Sequence, residues 1–206
     1  MEISPHDLLQ IHVKPYEKEL TSWALQSLNK APWVVVRRDE TTNIPVGIRG
    51  HKRNQRLAFE ISLQDVIKKV TPYHIFKQKM WERLPVERKS LTGIKALSHI
   101  YQQYPTLPFG VGGSVGFECV THQESIQKTS DLDLLLYLPE KVSQENLQQW
   151  QLFFEKYPVH IDVQIITLGG GFSLQEWLNK TTRTILVKTK SGPVLVEDPW
   201  KIEGKR

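Results

Sequence analysis

The segment from Ser130 to Leu138 constrains the fold more than any other part of the chain. It reads SDLDLLLYL, is nearly continuous in apolar residues, and is followed directly by Pro139. A short apolar run that ends at a proline predicts a β-strand buried on both faces, which requires neighbouring strands and covering helices. Asp131 and Asp133 interrupt the run at alternate positions, so their carboxylates point to the same face of that strand.

Hydrophobic periodicity and turn residues predict the other elements. Strands are predicted at 33–38, 45–48, 56–61, 107–111, 131–138 and 160–166, with a hairpin that joins 183–188 to 194–197. Helices are predicted at 62–70, 91–104 and 114–120, with two more that begin at Ser143 and at the capping box Ser173 to Glu176. The order indicates an α+β fold, with a small β-rich N-terminal domain at 1–80 and a catalytic domain at 81–206.

Composition narrows the class of protein. A hydrophobic content of 39% with six tryptophans supports one large core or two small ones. A single cysteine, Cys119, argues against a disulfide framework and fits a reducing compartment. The N-terminus lacks a signal-like apolar segment and no apolar run is long enough to cross a bilayer, so we expect a cytoplasmic protein with no membrane partner.

Two acidic side chains on one strand face predict a cation site. Like charges at close range raise one another's pKa unless a cation neutralises them, and Mg²⁺ takes carboxylate oxygens together with substrate phosphates. Gly113 and Ser114 lie upstream, between a predicted strand and a helix, where a glycine lets backbone N–H groups approach a phosphate. A third acid, Asp162, lies on a later apolar strand. An acidic strand end exposed to solvent is the alternative for the pair taken alone.

This order of a Gly-Ser turn, a D-x-D strand and a later strand aspartate resembles the nucleotidyltransferase superfamily of the polymerase-β type. The resemblance implies a mixed sheet flanked by helices in the C-terminal domain. It also implies that Asp131, Asp133 and Asp162 serve catalysis and bind Mg²⁺. Asp162 matches the pattern more loosely and is expected as a ligand or as a base. We assign donor binding to Gly113, Ser114 and Ser130.

Longer matches resemble the malonate decarboxylase holo-acyl-carrier-protein synthases, also called phosphoribosyl-dephospho-coenzyme A transferases. They comprise PHDLL at 5–9, PVGIRG at 45–50 with Gln55-Arg56, SDLDLLL at 130–136 and GGFSLQEW at 170–177. The resemblance implies transfer of the phosphoribosyl-dephospho-CoA group from 2'-(5''-triphosphoribosyl)-3'-dephospho-CoA to a serine of the malonate decarboxylase acyl carrier protein, with release of pyrophosphate.

A basic turn is the second candidate binding feature. Arg49, Arg53 and Arg56 crowd into a turn with His51 and Lys52, and Arg37 with Arg38 ends a neighbouring strand. The guanidinium group of arginine forms paired hydrogen bonds with phosphate oxygens, so this turn is expected to bind the donor or an acidic carrier protein. A solvated turn without function is the alternative.

Two other functions stay open. The net charge of +5 favours an anionic partner without choosing among a polyphosphate, an acidic protein and nucleic acid. A nucleotidyltransferase acting on a small molecule or a nucleic acid would use the same acids with a different acceptor. A non-catalytic RNA-binding module would use the basic turn, but it would leave the paired aspartates unexplained, so a nucleic-acid partner is not expected.

Overall fold

The computed structural model describes residues 2–52, 54–179, 181 and 183–202. Its described residues form two β-sheets and seven α-helices, which confirms the α+β class. None of the helices in these ranges combines the length and the apolar character needed to span a bilayer.

The N-terminal sheet contains five strands, all paired antiparallel in the order β4-β3-β2-β1-β5. They are β1 (Leu8–Ile11), β2 (Trp33–Val36), β3 (Ile44–Arg49), β4 (Arg56–Ile61) and β5 (Val66–Val70). Helix α1 (Ser22–Lys30) buries Ala24 and Leu28 in the core of this sheet. The strands predicted at 33–38, 45–48 and 56–61 are therefore confirmed, whereas β1 and α1 had no prediction.

The helix predicted at 62–70 is wrong. Residues Leu63–Asp65 form a single 3₁₀ turn, and Val66–Val70 continues as strand β5, whose Val70 pairs with Leu8 of β1. Hydrogen bonding to the free edge of β1, together with three β-branched residues in the segment, outweighs the local capping pattern. Thr71 instead caps the next helix, since its hydroxyl accepts the His74 N–H at 3.0 Å.

The connection between the two sheets is packed rather than extended. Helix α2 (Pro72–Lys77) buries Ile75 and Phe76, and the following 3₁₀ turn buries Trp81 in the core of the second sheet. A Cβ atom at Gly110 would lie 2.8 Å from Pro72 Cβ, so α2 rests directly on the backbone of the second sheet. The division into domains at residue 80 stays a prediction.

The C-terminal sheet is mixed, with the order β11-β10-β9-β8-β7-β6. Its strands are β6 (Phe109–Val111), β7 (Leu132–Tyr137), β8 (Ile161–Ile166), β9 (Gly171–Ser173), β10 (Ile185–Thr189) and β11 (Gly192–Val196). Strands β7 and β8 are parallel, and the other neighbouring strands of this sheet are antiparallel. The hairpin of β10 and β11 is as predicted, whereas the sequence pattern gave no sign of β9.

Five helices accompany this sheet: α3 (Val86–Lys89), α4 (Thr92–Gln103), α5 (Gly113–Thr121), α6 (Gln144–Phe154) and α7 (Leu174–Asn179). The predicted helix at 91–104 is confirmed as α4, which buries Ile94, Leu97 and Ile100 at helical spacing. The predicted caps are also confirmed: Ser143 Oγ accepts the Asn146 N–H, and Ser173 Oγ accepts the Glu176 N–H.

A buried carboxylate fastens the loop at 122–131 to helix α5. Glu118 is 1% exposed, and its Oε2 accepts the backbone N–H groups of Ser125 at 2.7 Å and Ile126 at 2.8 Å. Arg88 of α3 forks onto both carboxylate oxygens and also donates to the Ile126 carbonyl. Both oxygens of this acid thus accept hydrogen bonds, one from Arg88 alone and the other from Arg88 and two backbone N–H groups.

We expect Glu118→Gln to lower the free energy of unfolding by about 3 kcal/mol, because it leaves the partly buried Arg88 without its counter-charge. Urea unfolding at neutral pH measures the difference. Glu155→Gln is the matched control, since Glu155 accepts only an exposed hydrogen bond from Gln151. Equal losses in the two variants would contradict the structural role of Glu118.

The same pair predicts a pH dependence. Burial alone would raise the pKa of Glu118, but the hydrogen bonds from Arg88, Ile126 and Ser125 outweigh it and lower the pKa. A lowered pKa contributes stability above the unfolded-state pKa, about 4.3, and this contribution is lost as the pH falls below it. The stability gap between the wild type and Glu118→Gln should therefore narrow in acid; a gap that widens would refute the assignment.

Candidate active site

The paired aspartates lie where strand β7 begins, beside the Gly-Ser turn. Asp131 is exposed immediately before the strand, and Asp133 is partly buried within it. The Asp133 carbonyl accepts the Gly112 N–H at 2.9 Å, which anchors the turn to the strand. The carboxylate of Asp133 therefore faces the turn, the geometry that phosphate and cation binding at this point would require.

Position 113 has no room for a side chain. Its φ is +57°, in the left-handed region, and an added Cβ atom would lie 1.6 Å from Asp133 Oδ2. Both the backbone conformation and the space exclude a side chain. Helix α5 starts at this glycine, so its first N–H groups lie next to the Asp133 carboxylate.

Like charges destabilise the ionised form of Asp133. Its pKa is raised by burial first, then by Asp162 and Asp131, while Arg49 and His160 act in the opposite direction. Asp162 is the β8 residue directly paired with Asp133 across the parallel strands, which explains its influence. A divalent cation would relieve this repulsion, so the electrostatics favour cation binding.

The carboxylates of Asp131 and Asp133 fit a cation that also contacts a substrate. Within the described ranges, no group of three or more His, Cys, Asp or Glu side chains is arranged to hold a metal ion. Of the three aspartates, Asp131 and Asp133 line a cleft, to which the loop residue Glu124 adds a third carboxylate, whereas Asp162 is exposed beside them and is absent from the lining. Two carboxylates completed by phosphate oxygens are the usual protein environment of Mg²⁺. The role of Asp162 as a ligand stays a prediction.

A cleft of about 700 Å³ opens from the acid pair. One wall is formed by α1 and the β3–β4 turn of the N-terminal sheet, and the other by the start of α5 and the loop at 122–131. Of the residues predicted to bind substrate, those that line it are Gly113, Ser114, Ser130, Arg49 and Arg56. Arg53 lies outside the described residues.

Arg49 joins the N-terminal sheet to the Gly-Ser turn. Its Nη1 donates to the Gly113 carbonyl at 2.7 Å, and its guanidinium lies 5.3 Å from the centre of the Phe117 ring. Burial, followed by the charge of Arg56, lowers its pKa to about 10, with Asp133 acting in the opposite direction. One N–H group of Arg49 therefore positions the turn, and the remaining N–H groups can contact a ligand.

The serines of the site are held by local bonds. Ser125 Oγ donates to the Ser114 carbonyl at 2.8 Å, which ties the loop to the first turn of α5. Ser130 Oγ accepts the Gln127 N–H at 2.9 Å and closes the turn that precedes Asp131. These contacts orient the loop wall of the cleft.

The other two arginines of the basic region lie elsewhere. Arg37 pairs with Asp39 on the surface at 3.0 Å. Arg38 is directed at the C-terminal sheet, with Nη2 at 3.3 Å from His6 Nε2 and at 3.5 Å from Gln164 Oε1. Neither residue is among those that line the cleft.

Sequence reasoning missed the contribution of helix α1. Trp23, Gln26 and Lys30 line the cleft, as do Lys52 and Gln55 of the β3–β4 turn. The three α1 residues recur at helical spacing, which puts them on one face of the helix. That spacing was the available signal, but it has no meaning before the helix is placed against the turn.

Comparison with known proteins identifies the family. The profile of the phosphoribosyl-dephospho-CoA transferase MdcG C-terminal domain matches residues 81–199, and that of the N-terminal domain matches residues 4–72. A Klebsiella pneumoniae protein named phosphoribosyl-dephospho-CoA transferase is 34% identical over 203 residues, covering 97% of each chain. A protein of the same name from Pseudomonas putida is 33% identical, covering 96% of this chain and 95% of its own.

A third protein of that name, from Pseudomonas aeruginosa, is 33% identical over 204 residues and covers 96% of this chain and 94% of its own. No solved structure matches the chain. Both family profiles match, in the same order as the two sheets, and the relatives align over nearly the whole length. The chain belongs to the phosphoribosyl-dephospho-CoA transferase MdcG family.

Proposed function

We propose that this protein transfers the phosphoribosyl-dephospho-CoA group from 2'-(5''-triphosphoribosyl)-3'-dephospho-CoA to a serine of the malonate decarboxylase acyl carrier protein. The observation that carries the proposal is the Asp133 carboxylate held against the Gly113 backbone at the end of an open cleft. The names of the relatives supply the chemical class of the transferred group. The assignment of the malonate decarboxylase carrier protein as the acceptor rests on the sequence resemblance alone.

We infer that the C-terminal domain acts as a Mg²⁺-dependent nucleotidyltransferase, on the strength of its Gly-Ser turn and paired aspartates. Asp131 and Asp133 would hold the cation. Bound Mg²⁺ supplies positive charge that offsets the charge developing on the phosphate oxygens. The supporting features are the Asp131 and Asp133 carboxylates that line one cleft, and the pKa of Asp133, which is raised by burial and then by its acidic neighbours.

The chain's own groups bind and orient the donor. Helix α5 begins at Gly113, against which the Asp133 carboxylate lies, so the backbone N–H groups of its first turn can donate to phosphate oxygens bound there, with the Ser114 hydroxyl beside them. Arg49 keeps the Gly113 peptide in place through its bond to the carbonyl. Preorganised donors of this kind stabilise charge without reorganising during the reaction.

The reaction itself is a displacement at phosphorus. The acceptor serine oxygen forms a bond to the α-phosphorus while the bond from that phosphorus to the β-phosphate oxygen breaks, and pyrophosphate leaves. The serine proton passes to a carboxylate oxygen of Asp162 or Asp133. Asp162 is exposed and is paired with Asp133 across the two strands, so an acceptor serine that approaches from outside the cleft can reach its carboxylate.

We expect Asp131→Asn and Asp133→Asn each to slow carrier labelling by at least about 100-fold, because each removes a carboxylate that would hold the cation on the donor's phosphates. Labelling is measured by the mass gain of the apo carrier protein with the triphosphoribosyl donor and Mg²⁺. The control is Asp39→Asn, which removes a surface carboxylate paired with Arg37. Chelation by EDTA should abolish labelling. Near-wild-type rates in both site variants would exclude the proposed mechanism.

Gly113→Ala should abolish transfer without unfolding the protein. The new methyl group must displace the Asp133 carboxylate, which an added Cβ atom would approach to 1.6 Å. The matched control is Gly93→Ala in helix α4, where nothing lies within 4 Å of the added atom. Transfer rates and thermal unfolding are measured for both variants. If Gly113→Ala transfers as fast as Gly93→Ala, the close approach of turn and carboxylate has no catalytic importance.

A further inference from the structure

The cleft has two walls of different chemistry. One wall carries Asp131 and Asp133 with the Gly-Ser turn. The other wall is formed by α1 and the β3–β4 turn, where an indole ring stands among amide and ammonium groups; these residues are Trp23, Gln26, Lys30, Lys52 and Gln55. These five residues, here called the Trp23 wall, have no part in the phosphoryl chemistry proposed above.

The orientation of Trp23 is set by its contact with the β3–β4 turn. A Cβ atom at Gly50 would lie 2.8 Å from Trp23 Cε3 and 2.5 Å from Gln55 Cβ. Only a glycine therefore lets the turn lie this close to the indole ring. The hydroxyl of Ser27, on the next turn of α1, donates to the Arg49 carbonyl and fixes the helix to the same strand end. The ring is partly buried, yet it lines the cleft.

The groups around the ring are those that recognise a nucleotide. Gln26 and Lys30 share the cleft-facing side of α1 with Trp23, and Lys52 stands on the opposite turn. The Gln55 side-chain oxygen accepts the Lys52 N–H at 2.9 Å, so this turn is ordered. A fixed aromatic ring stacks on a planar base, an amide reads its polar edge, and ammonium groups attract phosphates.

We propose that the Trp23 wall binds the adenosine diphosphate part of the donor, with the adenine stacked on Trp23 and the 5'-diphosphate near Lys30 and Lys52. The identity of the donor rests on the proposed function. In that donor, two ribose rings separate the adenine from the reacting α-phosphorus, so the two groups occupy separate parts of one cleft. Trp23 then positions the α-phosphorus at the acid pair without touching it.

The binding test uses 3'-dephospho-CoA, which has the adenosine diphosphate and pantetheine parts but no group that can react. Its affinity is measured by calorimetry without metal. We expect Trp23→Leu, which keeps an apolar side chain against Gly50, to weaken binding by about 10-fold or more, in the range of base stacking. Trp23→Phe keeps an aromatic ring and should stay within about 3-fold of the wild type.

Competition separates the parts of the ligand. ADP should displace 3'-dephospho-CoA from the wild type, and pantetheine should not. Trp150→Phe, at a partly buried tryptophan of helix α6 that does not line the cleft, is the control and should bind as the wild type does. Unchanged affinity in Trp23→Leu, or displacement by pantetheine alone, would overturn the proposal.

Asp133→Asn distinguishes this proposal from the proposed function. That variant should bind 3'-dephospho-CoA with wild-type affinity while it fails to label the carrier protein. Trp23→Leu should instead mainly weaken donor binding. We expect a raised KM for the donor and a smaller change in kcat, because the lost contact lies away from the reacting phosphorus. If Trp23→Leu lowered kcat alone, with KM unchanged, the subsite would be misplaced.

Discussion

The carboxylate of Asp133 lies directly against the backbone of Gly113, and the rest of the site is arranged around that approach. The glycine must adopt a left-handed conformation and must lack a side chain for the two to meet. Helix α5 begins at this residue, so its N–H groups lie beside the acid. Burial and neighbouring acids raise the pKa of Asp133. The repulsion among these carboxylates would be relieved by a cation that binds them together with a polyphosphate.

Both sheets contribute to the site, and Arg49 connects the N-terminal sheet to the Gly-Ser turn at the cleft. It lies at the end of β3 in the N-terminal sheet, yet it donates to the Gly113 carbonyl and faces the charge of Asp133. The N-terminal sheet is therefore more than a support for the C-terminal sheet, because its β3–β4 turn and helix α1 form one wall of the cleft. The match of both family profiles agrees with a site that needs both parts.

The sequence predicted the parts of this arrangement that depend on local pattern. Strand β7, the Gly-Ser turn and the helix after it follow from alternation, glycine chemistry and apolar spacing, and in the structure Asp133 lies against that turn. Segment 62–70 was wrong because pairing with β1 outweighed a local capping pattern. Helix α1 and its tryptophan were missed because their importance comes from contact with the distant β3–β4 turn, which no short-range pattern encodes.

Glu118 lies on the helix that begins at the acid site, five residues after Gly113. Its carboxylate holds the backbone at Ser125 and Ile126, and Ser125 in turn bonds to the first turn of the same helix. The helix and the loop are therefore mechanically one piece, and Arg88 clamps that piece to α3. The position of this wall is therefore fixed before the donor arrives. Binding of the donor does not have to order the loop, so little conformational entropy of the loop is lost.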